Sequence, residues 1–147
     1  MPTTVIRRAV LAAMVAVLVA VAPAARAQEE TLPFSIDGAR LATDRHTVVV
    51  SGTYTCGPLD LDVVGGGGSI DLTVRQGPVE GFGGVQIEVC DGTTQTWQVD
   101  VTTFGDRRFK RGAARASASG LVFGERDGQP VTLRVDIPDQ QITITRR

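Results

Sequence analysis

The sequence predicts an all-β domain: an immunoglobulin-like antiparallel β-sandwich of seven or eight short strands, with a small β-barrel as the alternative topology. Three observations carry this expectation. Apolar and polar residues alternate at period two from Thr31 almost to the C-terminus. Gly, Pro and Asp clusters punctuate that alternation at spacings of roughly ten residues. No helical period of useful length follows residue 27.

The N-terminus is of a different kind. Arg7 and Arg8 precede an unbroken apolar run of 14 residues, Ala9 to Ala22; Pro23 ends it, and Ala25-Arg26-Ala27 has the small-x-small form of a cleavage site. The run falls short of the roughly 20 apolar residues that span a bilayer. Residues 1–27 are therefore expected to be an export signal and residues 28–147 one secreted domain, cleaved after Ala27. No cysteine sits beside that site to accept lipid.

Residues 28–147 carry 12 basic and 16 acidic side chains, a net charge of −4. Such a balance favours solubility and argues against a general polyanion binder. No later apolar stretch reaches spanning length, so no transmembrane segment is expected, and the domain is expected to be monomeric. Cys56 and Cys90 are the only cysteines. In an oxidising compartment two thiols most simply pair, and zinc would need further ligands from a chain with one histidine, His46.

The elements follow in order. Phe34 and Ile36 suggest a first strand. In His46–Cys56, Val48, Val50, Tyr54 and Cys56 share one parity. Leu59, Leu61 and Val63 suggest a short strand, and Gly65–Gly68 the tip of a hairpin. Ile70, Leu72 and Val74; Val85, Ile87 and Val89; Trp97, Val99 and Val101; and Ala114, Ala116 and Ala118 each alternate with polar neighbours. Val131, Leu133, Val135 and Ile137 follow, and Ile142 and Ile144 close the series. Each run presents one apolar and one polar face, as antiparallel strands with one solvated side do. Cys90 has the parity of Gln86 and Glu88, so the bridge is expected at the rim and not buried between sheets.

Catalytic constellations are sparse, and no enzyme activity or cofactor is expected. His46 stands on a turn after Thr43-Asp44-Arg45, and no serine has a G-x-S-x-G or S-x-x-K context. Asp60-x-Asp62 would point two carboxylates the same way on a strand, which reads better as a wet face than as a metal or acid–base site. The least ordinary feature is the run Arg107, Arg108, Phe109, Lys110 and Arg111, with Arg115 beyond. Arg107, Arg108, Lys110, Arg111 and Arg115 are the candidate anion-binding patch, with Phe109 as an apolar contact. Its competitor is a solvated loop with Phe109 folded back as a plug over the sandwich edge. The run is short and no nucleic-acid module surrounds it, so nucleic acid is not an expected partner.

Gly52-Thr53-Tyr54-Thr55-Cys56, Val89-Cys90-Asp91-Gly92, Trp97, and Phe109-x-x-Gly112-Ala113 before the alanine strand form a pattern over roughly Thr47 to Phe123. This pattern resembles a family of small secreted actinomycete proteins classed as a domain of unknown function. The resemblance implies an immunoglobulin-like sandwich and secretion, with no catalytic residues. A fainter likeness is to the secreted enediyne-carrying apoproteins, sandwiches of this size with two disulfides and a ligand cleft, where this chain has one cysteine pair. The expected function is a non-catalytic binding or interaction module facing the cell envelope, a protein or a small molecule. The alternatives are a small-ligand carrier, for which the alanine strand would leave room, and, last, a hydrolase.

Overall fold

Strand formation follows the alternation. The computed structural model describes residues 28–63 and 65–146, so the predicted export segment 1–27 lies outside the described residues. The strands are β1 (Gln28–Thr31), β2 (Gly38–Leu41), β3 (Thr47–Thr55), β4 (Gly67–Gln76), β5 (Val79–Ile87), β6 (Thr94–Thr103), β7 (Gly112–Arg126) and β8 (Gln129–Thr145). Along β3, Val48, Val50 and Tyr54 are buried while Val49, Ser51 and Thr53 are not, as a one-sided strand requires. Among the described residues no helix is long and apolar enough to cross a membrane.

The sheet closes on itself. Its order is β8-β2-β3-β6-β5-β4-β7, and β7 pairs back onto β8, giving a seven-stranded barrel with β1 alongside β8 as an extra strand. The β1–β8 and β2–β8 ladders are parallel, the others antiparallel. The barrel alternative is therefore the topology found, in place of the immunoglobulin-like sandwich. A sandwich needs two sheets with separate edges, whereas here one ladder continues round.

Closure depends on β8. It pairs with β7 along its whole length, with β1 through Val131–Arg134 and with β2 through Ile144 and Thr145. Ala116 opposes Gln140 and Ala118 opposes Ile137, so Pro138 and Asp139 together face Ser117. Such a bulge accommodates proline, which has no N–H to give to a ladder. It also explains a switch in the sequence: the apolar residues are odd-numbered through Ile137 and even-numbered at Ile142 and Ile144.

Several expectations need correction. Gly65–Gly68 is not a hairpin tip, because β3 and β4 are not neighbours; β6 and β5 lie between them in the sheet, and Gly67 and Gly68 already belong to β4. Leu59–Val63 forms no strand, only an Asp60–Glu125 bridge, so Asp60 and Asp62 do not share a strand face. Phe34 and Ile36 lie in an irregular ladder beside β3, where the Ser35 N–H donates to the Thr53 carbonyl at 2.8 Å. Val89 is exposed, since β5 ends at Ile87.

The predicted disulfide forms between Cys56 and Cys90, beyond the ends of β3 and β5 and thus at the rim, with both cysteines buried. The Leu59 N–H donates to the Cys90 carbonyl at 2.8 Å and the Gly92 N–H to the Cys56 carbonyl at 2.9 Å. Gly57 follows at φ +103°, where a Cβ would overlap the Cys90 carbonyl, so only glycine fits this turn. The interior is filled by Val48, Val50, Ile70, Leu72, Val74, Val101, Val122, Val135 and Ile144, with Ala114, Ala116 and Ala118 in the same cluster. Trp97 stacks on Phe34 with centroids 4.9 Å apart. A Cβ on Gly52 would overlap the Ser35 carbonyl and come within 2.7 Å of the Trp97 Cζ2, so the bare glycine makes room for the backbone at Ser35 and for the indole. Phe123, on the same strand as the alanines, faces outward.

Up-and-down strands sort the connections between two ends. One end carries 42–46, Gly77-Pro78, 104–111 and Arg146; the other carries 56–63, 65–66, 88–93 and 127–128.

Candidate functional site: a cationic barrel mouth

The β6–β7 connection is drawn across the first end of the barrel and closes it. Phe109 is 0% exposed and acts as the plug, so the plug reading of the sequence holds and Phe109 is not a surface contact. The inner face of β5 makes room for it, because Gly81 has no side chain and a Cβ there would lie 3.0 Å from the Phe109 Cζ.

The rest of the loop is fixed through its backbone. The buried Thr103 hydroxyl donates to the Arg107 carbonyl at 2.8 Å, and the Arg107 guanidinium donates to the Pro78 carbonyl. The Phe109 N–H donates to the Arg45 carbonyl at 2.8 Å. Gln76, last residue of β4, clamps Lys110 from both sides: its Oε1 accepts the Lys110 N–H at 2.7 Å and its Nε2 donates to the Lys110 carbonyl at 2.9 Å. The Gln76 Nε2 also reaches the Ala113 carbonyl at 3.2 Å.

The β2–β3 turn meets this loop. Asp44 organises it, with Oδ1 accepting from the His46 and Thr47 N–H groups at 3.0 and 3.1 Å and Oδ2 from the Thr47 hydroxyl at 3.1 Å. Desolvation pushes the Asp44 carboxyl up, but the hydrogen bonds from Thr47 and His46 together outweigh it and hold the group below its ordinary 3.8. Arg45 is left at φ 60°, the left-handed region, which a side chain with a Cβ adopts at a cost of about 1–2 kcal/mol.

Between turn and loop lies a groove of about 530 Å³ lined by Leu41, Ala42, Thr43, Arg45, Phe109, Lys110, Arg111 and Arg146. Four of its lining residues are cationic. Among the described residues none of the four enters an ion pair; the pairs present join Arg75 to Glu80 and Asp139, Arg126 to Glu30, and Arg134 to Glu29 and Asp136. Guanidinium and ammonium groups gathered round one groove bind phosphates and carboxylates.

No protein-family model, curated protein or solved structure matches this chain.

The structure divides the candidate patch. Lys110 and Arg111 line the groove; Arg107 is turned onto Pro78, and Arg108 is exposed on the same loop. Arg115 stands apart, outward on the wall of β7 in register with Arg75 and Gln141. Two contributors, Arg45 and Arg146, had no signal in the basic run, because they come from distant parts of the chain. Counting strand reversals would have placed 42–46 and the end of β8 beside the 104–111 loop. His46 takes part only through its backbone, as acceptor from the Thr103 N–H at 2.9 Å and donor to Asp44. Asp60 turns inward on its own loop, accepting the Asp62 N–H at 2.9 Å, and no group of three metal-ligating side chains occurs among the described residues.

Proposed function

We propose that this chain is an exported, non-catalytic binding module whose cationic barrel mouth captures small multivalent anions. The groove between the β2–β3 turn and the 104–111 loop carries the reading, with Arg45, Lys110, Arg111 and Arg146 converging on one space. The backbones of Lys110 and Arg45 are held by Gln76 and by the Phe109–Arg45 hydrogen bond, so ordering on binding is confined mainly to the charged side chains. Guanidinium and ammonium groups offer only hydrogen-bond donors and positive charge, which suits holding an anion. Export is supported by the Arg7–Ala27 pattern and by a disulfide of the kind kept in oxidising compartments.

Calorimetric titration with tripolyphosphate tests the reading. Binding that weakens as salt rises, and weakens about fivefold in Arg111→Ser, is expected of a partly solvated cationic site. Wild-type affinity in a Lys110→Ser, Arg111→Ser double variant would remove the groove from consideration.

A further inference from the structure

The loops at the two barrel ends differ in sign. Segments 42–46 and 104–111 with Arg146 carry six cations (Arg45, Arg107, Arg108, Lys110, Arg111, Arg146) against Asp44 and Asp106, a net charge of +4. Segments 56–63, 65–66, 88–93 and 127–128 at the opposite end carry Asp60, Asp62, Glu88, Asp91 and Asp127 with no cation, a net charge of −5. The described residues as a whole hold 11 basic and 16 acidic side chains, net −5. The positive mouth thus stands out from a body that carries −9. A barrel polarised along its axis turns its positive end toward a negatively charged surface.

The same rim carries bare aromatic rings. Phe104, first residue of the 104–111 loop, is 79% exposed, and Phe82 on the outer face of β5 is 46% exposed. Their centroids lie 5.9 Å apart, so they form one apolar prominence beside Arg107 and Arg108. Phenylalanine has no polar atom to offer a soluble anion, which would leave both rings in water. A bilayer with anionic headgroups satisfies both features, taking the rings into its interfacial zone while phosphates meet the cations.

Building on the anion-binding reading, we propose that the mouth is a peripheral docking surface for an anionic lipid bilayer, with Phe104 and Phe82 as the inserted residues and Arg108, Lys110 and Arg111 as the headgroup contacts. The acidic opposite end then faces away from the membrane. Each basic side chain near a charged bilayer adds about fivefold to partitioning, so the docked state is salt-sensitive.

Cosedimentation of residues 28–147 with phosphatidylcholine vesicles, with and without an equal share of phosphatidylglycerol, decides the matter. It is run beside tripolyphosphate titration of the same proteins. The inference expects binding to the phosphatidylglycerol vesicles alone, loss of about fivefold in Arg108→Ser, and a drop of about tenfold in a Phe82→Ser, Phe104→Ser double variant. Tripolyphosphate affinity stays unchanged in that phenylalanine variant. Since both rings are solvent-exposed, circular dichroism is expected to match wild type, and Phe104→Ser alone repeats the test if it does not. Equal sedimentation with both vesicle types, or wild-type partitioning of Phe104→Ser and the double variant, overturns the inference. Tripolyphosphate binding without vesicle binding overturns it while leaving the anion-binding reading intact; absence of both overthrows the two together.

Discussion

Replacing Phe109 by alanine tests how the mouth is built. The ring is fully buried and its inner neighbour is Gly81, which has no side chain to move into the space left behind. Phe→Ala at such a site costs about 3–5 kcal/mol, and poor collapse places the loss near the upper half, about 4 kcal/mol. Against a total stability of about 5–15 kcal/mol, that is a large share. Urea unfolding followed by the single tryptophan, Trp97, reads it directly. With a slope of about 2 kcal/mol per molar, the midpoint moves down by about 2 M at constant slope. Phe109→Leu, which refills most of the volume, is expected to lose less than about 1.5 kcal/mol. Phe109→Ala keeps the backbone N–H that reaches the Arg45 carbonyl but loses the buried ring that anchors the loop, so it also weakens tripolyphosphate binding under conditions where the barrel stays folded. A loss below about 1 kcal/mol would refute the plug, since no buried ring leaves so small a deficit.

Three further outcomes are expected. Replacing Cys56 and Cys90 together by alanine opens a closure of 34 residues and lowers stability by about 4 kcal/mol in the chain-entropy model; equal urea midpoints with and without the bridge would contradict it. The Asp44 carboxyl titrates below 3.8, and Thr47→Val moves its NMR midpoint upward. Because the folded value is the lower one, the stabilisation is fully present above pH 3.8 and disappears as pH falls through the depressed value; a midpoint above 3.8 in the wild type would be inconsistent with this turn. Arg45→Gly relieves a left-handed strain of about 1–2 kcal/mol and adds about 0.4–1 kcal/mol of unfolded-chain entropy, so stability is unchanged or rises by up to about 1.5 kcal/mol while tripolyphosphate binding weakens. Melting temperature and calorimetry on one preparation separate the two effects.

Much of the barrel was legible from alternation alone. The runs centred on Val50, Leu72, Val99, Ala116 and Leu133 all became strands, and Gly57-Pro58, Gly77-Pro78, Asp91-Gly92, Gly105-Asp106 and Asp127-Gly128 fell between strands, whereas Pro130 lies inside β8 and Gly67 and Gly68 inside β4. What alternation lacks is partner choice. Period two says which face of a strand is dry, but a sandwich and a barrel bury the same faces, so closure was invisible. The one local clue was the parity change between Ile137 and Ile142, which marks the bulge that lets β8 change partner from β1 to β2. Gly81, Gly83 and Gly84 hid the first half of β5, because glycine carries no alternation signal. The basic run was legible as a run, whereas its groove was not. Two of the four cations lining the groove, Arg45 and Arg146, are separated in sequence from Lys110 and Arg111 and meet them only when the chain reverses at the same end.

The two ends of the barrel also differ in what their charges do for folding. The hydrophobic interior and the disulfide lie in the barrel and at its acidic end, where like charges stand on loops that nothing obliges to converge. At the cationic end the reverse holds: four like charges surround one groove, and one of them, Arg45, is strained in its backbone. Mutual repulsion and strain both act against folding, so that arrangement does nothing for the barrel itself. The buried Phe109, the Gln76 clamp and the Thr103 hydroxyl offset it from below, each acting on the loop backbone and leaving the charged side chains free. A loop needed only for connection would be better served by mixed charges and a glycine at position 45. On the anion-binding reading proposed above, a negatively charged guest would remove the repulsion as it binds and stabilise the folded protein by RT ln(1 + [L]/Kd), so the melting temperature is expected to rise with anion concentration.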